Sequence, residues 1–401
     1  MTTQYEHFDP TAPDVIDNPF PMFSRLRESD PAHWSERLGG WVLTRYWDVR
    51  ESLNWSVERL DAFLQAVDHS DSKGMQRIAL WATFNDAPMH VHLRRLMAKA
   101  LSSDFIDTAE PIIHDLSKRL SKAAKERDQI DFMADFAHQI PIGVMAKLFN
   151  LPDEDIAMLR HWVHEINLFV GAAKHVPDKY PRSSDALESI TEYFMRHYEQ
   201  RVRKSGGNDL LSRLIFAEED GDRMTRDEVV ATCVMLLYAG HITTTHMLGN
   251  ALHALLKHPD QLRDLQKDPS IAQPACEELL RYDGPVQSMV RVAINDTLLH
   301  DRTIKAGDRI FPMLNAANRD PRRFDNPDKL DIHRERNSHI VFGHGPHTCI
   351  GLRLARLELP IAINSFLADI SHVEAAGSVS WIDSVAFRGP DKLPVHLVAR
   401  N

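Results

Sequence analysis

Hydrophobic residues recur with helical spacing along most of the chain, whereas strand-like alternation is confined to a few short runs. Apolar residues three to four positions apart predict amphipathic helices. Such periodicity covers residues 105–126, 153–169, 183–205 and 360–370. Strand-like runs occupy residues 40–44, 290–311 and 394–398. Two stretches without periodicity, 68–89 and 318–344, indicate functional loops, since long structureless loops are uncommon in compact domains. The pattern predicts a mainly α-helical protein with small β-sheets.

The segment 229–256 contains no Asp, Glu, Lys or Arg. Its length meets the requirement of about 20 apolar residues for crossing a bilayer. Three consecutive threonines and three histidines within it are costly in lipid and favour a helix surrounded by protein. Thr225 and Glu228 form a capping-box pattern at its start, and Pro259 follows its end. A long helix through the middle of a soluble protein is predicted.

Composition and charge narrow the class of protein. The 401 residues are 43% hydrophobic and 26% charged, which supplies a large core and excludes a disordered or collagen-like chain. With 47 basic and 57 acidic residues the net charge is −10, which is unfavourable for nucleic-acid binding. Three cysteines exclude a disulfide framework. The first residues show no signal-peptide pattern. We expect a cytoplasmic protein that forms a single domain over residues 1–401.

The strongest chemical pattern surrounds one cysteine. It is the run Phe342-Gly343-His344-Gly345-Pro346-His347-Thr348-Cys349-Ile350-Gly351. Three glycines indicate backbone conformations that a side chain would forbid, close to something flat or bulky. The sequence that follows Cys349 is helical, so its sulfur is expected near a helix N-terminus, where N–H groups and the helix dipole favour a thiolate. A shielded thiolate of this kind can be an axial ligand of haem iron.

Two other interpretations of this cysteine stay open on the residues alone. Cys349 could be a buried structural cysteine in a glycine-rich turn. A zinc site is the second, since His339, His344 and His347 lie close to Cys349 in sequence. Zinc coordination would not require Phe342 or the three glycines, and no second cysteine pair is present.

The run closely resembles the cysteine-ligand loop of cytochrome P450 enzymes, Phe-Gly-x-Gly-x-His-x-Cys-x-Gly, at every specified position. Further segments resemble family landmarks in the right order from about residue 15 to the C-terminus. They are Ala239-Gly240-His241-Ile242-Thr243-Thr244, Glu278-Leu279-Leu280-Arg281, residues 324–334 and residues 86–95. The resemblance implies the P450 fold, haem b (iron protoporphyrin IX) as cofactor, Cys349 as its metal ligand, and Phe342, Gly343 and Gly351 as cofactor-binding residues.

The resemblance also implies how the haem loop is supported. Glu278 and Arg281 are three apart on a helix and share a face. An isolated pair would be a surface interaction worth roughly 0.2–0.5 kcal/mol. In the family this pair is buried and joined by a further arginine, which matches Arg334 here. Loss of either member is expected to abolish haem incorporation, because it leaves an uncompensated charge.

Haem carries two propionates that need cationic or hydrogen-bonding partners. His90 and Arg94 lie four residues apart on one helical face. Arg291 and His347 match the other propionate contacts of the family. Arginine suits a carboxylate because its planar group can donate two parallel hydrogen bonds.

The oxygen-binding groove departs from the family pattern. Gly240 is expected to permit close approach of a ligand, with Ala239 and Thr244 beside it. The Thr243 hydroxyl is expected to help deliver the protons that split the O–O bond of dioxygen. The family usually has an acid just before this threonine, but Ile242 cannot carry a proton. Delivery then depends on water, substrate, His241, Thr244 or Thr245.

The substrate pocket is predicted by position in the family. Its expected residues are Thr83, Phe169, Val170, Tyr238, Gln287, Met289 and Phe387. They are mostly apolar with a few polar groups, which is typical of small-molecule pockets. No arginine that could bind a carboxylate is among them. A neutral or weakly polar hydrophobic substrate is expected, such as a terpenoid, aromatic or polyketide-like compound.

Electrons must come from separate proteins, because the chain contains neither a dinucleotide-binding fingerprint nor a set of iron–sulfur cysteines. The resemblance to soluble bacterial P450s implies a ferredoxin and its reductase. Arg95, Lys99, Arg353 and Arg356 are the basic residues expected to attract an acidic ferredoxin. Three alternatives remain: a P450-fold haem protein that binds a ligand or partner without turnover, a zinc hydrolase built on the His/Cys cluster, and a peroxide-driven enzyme.

Overall fold

The computed structural model describes residues 8–57, 72–173, 175–204, 206–368 and 370–399. Helices dominate, as the periodicity predicted. They are α1 (Pro13–Asp17), α2 (Phe20–Ser29), α3 (Tyr46–Ser52), α4 (Lys73–Arg77), α5 (Met89–Ala100), α6 (Ser103–Asp107), α7 (Ala109–Lys125), α8 (Gln139–Leu148), α9 (Ile156–Val170), α10 (Lys179–Lys204), α11 (Leu210–Ile215), α12 (Arg226–Lys257), α13 (Pro259–Lys267), α14 (Ala272–Tyr282), α15 (Leu314–Ala317) and α16 (Leu352–Leu367).

Strands are short and fall into small sheets. They are β1 (Ala32–Ser35), β2 (Gly40–Leu43), β3 (Ser56–Val57), β4 (Gln129–Asp131), β5 (Glu218–Glu219), β6 (Asp222–Arg223), β7 (Arg291–Val292), β8 (Thr297–Leu299), β9 (Arg302–Ile304), β10 (Arg309–Pro312), β11 (Ile370–Ala375), β12 (Ser380–Trp381), β13 (Pro390–Lys392) and β14 (Pro394–Ala399). The largest sheet has the order β1-β2-β10-β7-β3, in which β10 runs parallel to β2 with Phe311 opposite Val42. A second sheet has the order β11-β14-β4.

Helix α12 forms the centre of the molecule. The predicted capping box is present at its start: the Thr225 hydroxyl accepts a hydrogen bond from Glu228 N, and the Glu228 carboxylate accepts one from Thr225 N. Helices α8, α10, α14 and α16 all contact α12. This burial on all sides explains why its sequence is apolar around the whole helix.

By length and composition α12 could cross a membrane, but 83% of its most apolar 18-residue stretch is buried inside the protein.

The predicted helix 105–126 is interrupted. The structure ends α6 at Asp107 and begins α7 at Ala109, with the Thr108 hydroxyl donating to Phe105 O at 2.6 Å. Pro111 has no N–H to continue the α6 hydrogen bonds and is tolerated in the first turn of a new helix. The periodicity alone could not show this break, because both helices present apolar residues to the same core.

The two irregular stretches have different outcomes. Residues 318–344 contain no helix or strand and run from α15 to the cysteine loop, as predicted. Of residues 68–89, the first four lie outside the described part of the chain. The remainder forms α4 and two short 3-10 turns, Ile78–Leu80 and Ala82–Phe84, so the prediction of an irregular segment was only partly right.

Candidate active site

The cysteine loop is a tight turn that leads into α16. Gly343 and Gly345 both have φ = 76°, a conformation that side chains rarely adopt, and a Cβ on Gly345 would meet the side chain of Asn54. Gly351 differs: its φ is −85°, and a Cβ there would only touch Cys349 Sγ at 3.9 Å. The expectation of special backbone conformations therefore holds at two of the three glycines. At Gly351 the relevant group is the backbone N–H, which acts on Cys349 Sγ.

Cys349 lies just before α16, as its predicted position at a helix N-terminus required. Its own N–H donates to Phe342 O at 2.8 Å, which closes the loop. Burial raises the pKa of the Cys349 thiol, while an N–H bond from Gly351 and the charges of Arg94 and Arg356 lower it. These three groups would stabilise a thiolate bound to a metal cation.

The four residues predicted to contact propionates form a single cluster, in which Arg94 and Arg291 carry the positive charge. The rings of His90 and His347 lie 4.0 Å apart between centroids. Burial lowers the pKa of His347 to about 4, and the charges of His90 and Arg291 add to this effect. Burial and the charge of Arg94 lower the pKa of His90. Asp86 is the carboxylate nearest this cluster, with Oδ1 3.6 Å from His347 Nε2.

Arg291 gives the clearest indication that this cluster fits an anionic ligand. It is only 3% exposed and donates to the backbone oxygens of Val290 at 2.8 Å and Leu53 at 3.4 Å. No carboxylate of the described residues lies within 4.0 Å of it. Burial accordingly lowers the pKa of Arg291 to about 10, with Asp86 opposing the shift. A buried arginine without a paired carboxylate suits the propionates of haem, so the residues present fit this cofactor.

Glu278 and Arg281 are both completely buried and bonded to each other through two hydrogen bonds of 2.7 and 2.8 Å. Arg334 Nε donates to Glu278 at 2.9 Å, the position expected from the family. Asn337 Nδ2 donates to the same carboxylate at 3.1 Å and Asp331 N at 3.0 Å. Nothing in the sequence pattern singled out these last two. The cluster fixes the segment that precedes the cysteine loop.

One part of α12 is accessible although the helix is otherwise buried. Ala239 is exposed and Gly240 and Thr243 are half-buried, so they share one open face. The Thr243 hydroxyl donates to Ala239 O at 2.9 Å. A Cβ on Gly240 would lie 2.9 Å from Met145 Sδ, so the glycine leaves room for this side chain of α8. Its expected role in the approach of a ligand stays a prediction.

The other groove residues point into the core. Ile242 is 4% exposed and Thr244 is 7% exposed, so Thr244 does not share the open face with Thr243. His241 is also buried, with Nδ1 3.4 Å from the Thr245 hydroxyl and its ring 5.7 Å from that of His138. Burial lowers the pKa of His241 well below its ordinary value. A neutral histidine buried beside α8 is poorly placed to deliver protons to the open face.

The predicted pocket residues, except Met289, fall into two groups. In the first, the Tyr238 hydroxyl donates to Asn167 Oδ1 at 2.8 Å, and Thr83 lies 3.6 Å from Met235 Sδ. Phe169 packs against Tyr180 on the neighbouring helix. Trp81, which the sequence did not indicate, lies 5.5 Å from the Tyr238 ring. Trp81 lies in a stretch of sequence without helical or strand periodicity, so no sequence pattern indicated its contact with Tyr238.

Gln287 and Phe387 form the second group. Gln287 N donates to Ala386 O at 2.8 Å, and Phe387 N donates to the Ser384 hydroxyl at 2.9 Å. Phe387 belongs to the same hydrophobic cluster as Phe169 and Tyr238, and Val170 packs against that cluster. Met289 is half-buried, and no described contact ties it to either group.

The four basic residues expected to attract a ferredoxin are all engaged within the chain. Arg95 pairs with Asp222 at 2.8 Å, and Lys99 donates to a backbone oxygen of the same β5–β6 hairpin. Arg353 lies 3.3 Å from a carboxylate of α6. Arg356 forms a two-point ion pair with a carboxylate of α14. The three arginines are partly neutralised by these carboxylates, which weakens the predicted basic patch.

The zinc interpretation is wrong for the part of the chain that the structure describes. No group of three or more His, Cys, Asp or Glu side chains there is arranged to hold a metal ion. His339 instead lies 3.1 Å from Glu277, and His347 packs on His90. The histidines near Cys349 in sequence therefore face different neighbours in space.

Comparisons with known proteins identify the family of this chain. The family model described as Cytochrome P450 matches residues 59–375. The Vitamin D(3) 25-hydroxylase of Pseudonocardia autotrophica is 33% identical over 413 residues, covering 100% of this chain and 99% of that protein. The structure of cytochrome P450 CYP109Q5 from Chondromyces apiculatus superposes with a TM-score of 0.88 at 31% identity, covering 98% of each chain. CYP109E1 from Bacillus megaterium in complex with testosterone has a TM-score of 0.83 at 26% identity, covering 94% of this chain and 99% of that one.

A helical fold with a cysteine loop beside the buried Arg291 and the half-buried Arg94 is typical of haem-thiolate proteins. The chain belongs to the cytochrome P450 family. It is a P450 monooxygenase of the bacterial type, and its cofactor is haem b.

Proposed function

We propose that Cys349 is the axial ligand and that the enzyme inserts one oxygen atom from O2 into a neutral or weakly polar hydrophobic molecule. The observation that carries this proposal is the position of Cys349 just before α16, in a loop closed by its N–H bond of 2.8 Å to Phe342 O. His90, His347 and Arg291 would hold the propionates. When bound, haem b supplies the reductive activation of O2, with one oxygen atom going to substrate and the other leaving as water.

Thr243 would position a proton carrier at the open face of α12. Its hydroxyl proton is committed to Ala239 O, so the oxygen can only accept a further hydrogen bond. An acceptor at this position orients a water molecule or a substrate hydroxyl. Ile242 supplies no acid, and His241 is buried away from the face. We infer that water or substrate, held by Thr243, brings the protons in.

The pocket chemistry supports an apolar substrate with few polar groups. Tyr238, Trp81 and Phe169 offer aromatic surface, and the Tyr238 hydroxyl is already bonded to Asn167. One relative is named for vitamin D3 and one structural neighbour holds testosterone, both of which are neutral and mostly apolar. Hydroxylation, epoxidation or O-dealkylation of such a molecule is the proposed reaction.

We propose a separate ferredoxin and its reductase as electron donors. An acidic ferredoxin would have to compete with the β5–β6 hairpin for Arg95 and Lys99. Reconstitution with a bacterial ferredoxin and reductase should then give a turnover rate that falls as salt rises. A rate independent of salt would contradict electrostatic docking.

We further infer a cytoplasmic location and a single P450 domain over residues 1–401. The three cysteines are all free, which suits a reducing compartment. The alignment with the vitamin D(3) hydroxylase extends over the whole chain, which supports one domain.

The test of the ligand is an absorption spectrum of the purified holoprotein, reduced with dithionite, with and without carbon monoxide. A red-shifted Soret band is expected for the native chain. The Cys349→Ser variant should bind less haem and lose the red shift. A native protein that binds haem without the red shift would contradict thiolate ligation. Product formed with reductant and ferredoxin separates turnover from ligand binding alone, and turnover only with peroxide would contradict the proposed electron supply.

A further inference from the structure

An ion pair lies behind the cysteine loop, between α14 and α16. Arg356 Nε and Nη2 donate to the two carboxylate oxygens of Glu277 at 2.7 and 2.9 Å. His339 Nε2 lies 3.1 Å from the same carboxylate. Glu277 is adjacent in sequence to Glu278 but does not share its partners. No part of the haem-loop support described above requires this pair.

The Arg356 guanidinium is held above the first residue of the cysteine loop. Its central carbon lies 4.9 Å from the centroid of the Phe342 ring, and the His339 ring lies 5.9 Å from that centroid. Phe342 O accepts the hydrogen bond from Cys349 N. The positive charge is thereby fixed relative to the sulfur by one aromatic ring and one backbone hydrogen bond.

Both members of the pair are charged at neutral pH. Burial opposes ionisation of Glu277, but hydrogen bonds from His339 and Arg356 hold its pKa at about 2. The Glu277 carboxylate raises the pKa of Arg356, with Cys349 acting in the same direction. The Arg356 charge lies over Phe342, whose backbone oxygen is bonded to Cys349 N, so its field acts on the cysteine loop. The Glu277 carboxylate, bonded to Arg356 at 2.7 and 2.9 Å, offsets that field.

We propose that Glu277 and Arg356 set the reduction potential of the bound haem through the field they place on Cys349. Reduction from ferric to ferrous haem adds one electron, so a nearby positive charge favours the reduced form and a nearby negative charge favours the oxidised form. Arg356 raises the potential and Glu277 limits that rise. Both are positioning residues that act through Cys349, and this inference rests on the proposed ligation by that cysteine.

A purely structural role for the pair predicts a different result. If the pair only joined α14 to α16, removing either side chain would loosen the same contact and move the potential in the same direction. An electrostatic role predicts opposite signs. Glu277→Gln should raise the midpoint potential, and Arg356→Gln should lower it. The double variant should return towards the native value.

The experiment is potentiometric titration of the haem-loaded protein, followed by absorption. We expect each single variant to change the ferrous-to-ferric ratio at fixed potential by about tenfold, which is ~59 mV for one electron. The matched control is Asp107→Asn, which breaks the exposed pair with Arg353 on the same α16 and should leave the ratio unchanged. Arg356→Lys keeps the positive charge, so its midpoint potential should stay near the native value. This variant replaces Arg356→Gln in the test if Arg356→Gln does not load haem.

Shifts of the same sign in both single variants, or shifts no larger than that of Asp107→Asn, would overturn the proposal. The ferrous carbon monoxide spectrum is recorded for every sample. A native spectrum without the red shift refutes the ligation by Cys349, whereas a red-shifted spectrum combined with unchanged potentials refutes only the role of the pair.

Discussion

Replacing Glu278 by Gln removes the one negative charge at the centre of a fully buried cluster. The carboxylate accepts two hydrogen bonds from Arg281, one from Arg334, one from Asn337 and one from the backbone N–H of Asp331. Glutamine has almost the same shape, so packing is preserved. Its amide group donates where the carboxylate accepted, and it therefore faces N–H groups that need an acceptor.

The expected cost follows from these contacts. At least two N–H donors of the cluster lose their acceptor, and each such loss costs about 1–3 kcal/mol. Two arginines also lose their shared counter-charge, and breaking a buried ion pair costs about 3–5 kcal/mol. We expect the free energy of unfolding to fall by about 3–5 kcal/mol, a large part of the ~5–15 kcal/mol typical of folded proteins.

Urea unfolding and haem content of the purified protein measure this prediction. Because the cluster holds the segment before the cysteine loop, we expect Glu278→Gln to purify with little haem. The control is Glu28→Gln, which removes the partner of Arg322 from an exposed ion pair with distances of 2.7 and 2.8 Å. Exposed pairs contribute at most about 1 kcal/mol, so this control should keep its haem.

The reasoning would be refuted by a Glu278→Gln protein with full haem content and a free energy of unfolding within about 1 kcal/mol of the native value. That result would mean that the buried arginines find other acceptors. Arg281 also donates hydrogen bonds to the backbone oxygens of Asn318, Pro327 and Lys329. These oxygens are the acceptors that could replace the lost carboxylate.

Three further predictions concern the groove, the core and the loop. Thr243→Ala should consume reductant at a similar rate but release more peroxide and less product, and unchanged coupling would contradict its role in proton supply. Burial lowers the pKa of His138 to about 4 and that of His246 to about 3, so the unfolded chain binds more protons below about pH 6.5. The free energy of unfolding should therefore fall by about 2 kcal/mol per histidine as the pH is lowered from 7 to 5. A free energy of unfolding in urea that is the same at both pH values would contradict this prediction. Gly345→Ala should cost more stability than Gly307→Ala, because both glycines have positive φ but only Gly345 would carry its Cβ into a neighbour; equal costs would mean that this neighbour moves aside.

Much of the fold was predictable from local pattern. The capping box at Thr225 and Glu228 marks the start of α12, and a run without charged residues predicts that the helix is buried. The cysteine loop was predictable because it combines a rare residue with glycines at fixed spacing. Gly343 and Gly345 have positive φ for reasons that belong to the turn itself.

Other features depend on which elements meet in space. Trp81 lies beside Tyr238, and Asp331 donates to Glu278, although neither residue has a local signature. The break at Thr108 was hidden because both flanking helices face one core. A Cβ on Gly240 would meet Met145 of α8, a contact that depends on how the two helices pack.

The sequence by itself determined the long central helix, the cysteine loop and the family of this protein, because each depends on residues close together in the chain. Charge partners were decided only by the tertiary structure. Among the residues that the structure describes, no carboxylate pairs with Arg291, which can therefore receive a propionate, whereas Arg95 and Arg356 are paired within the chain. An ion pair depends on distance between side chains from separate elements, and that distance exists only once the helices have packed.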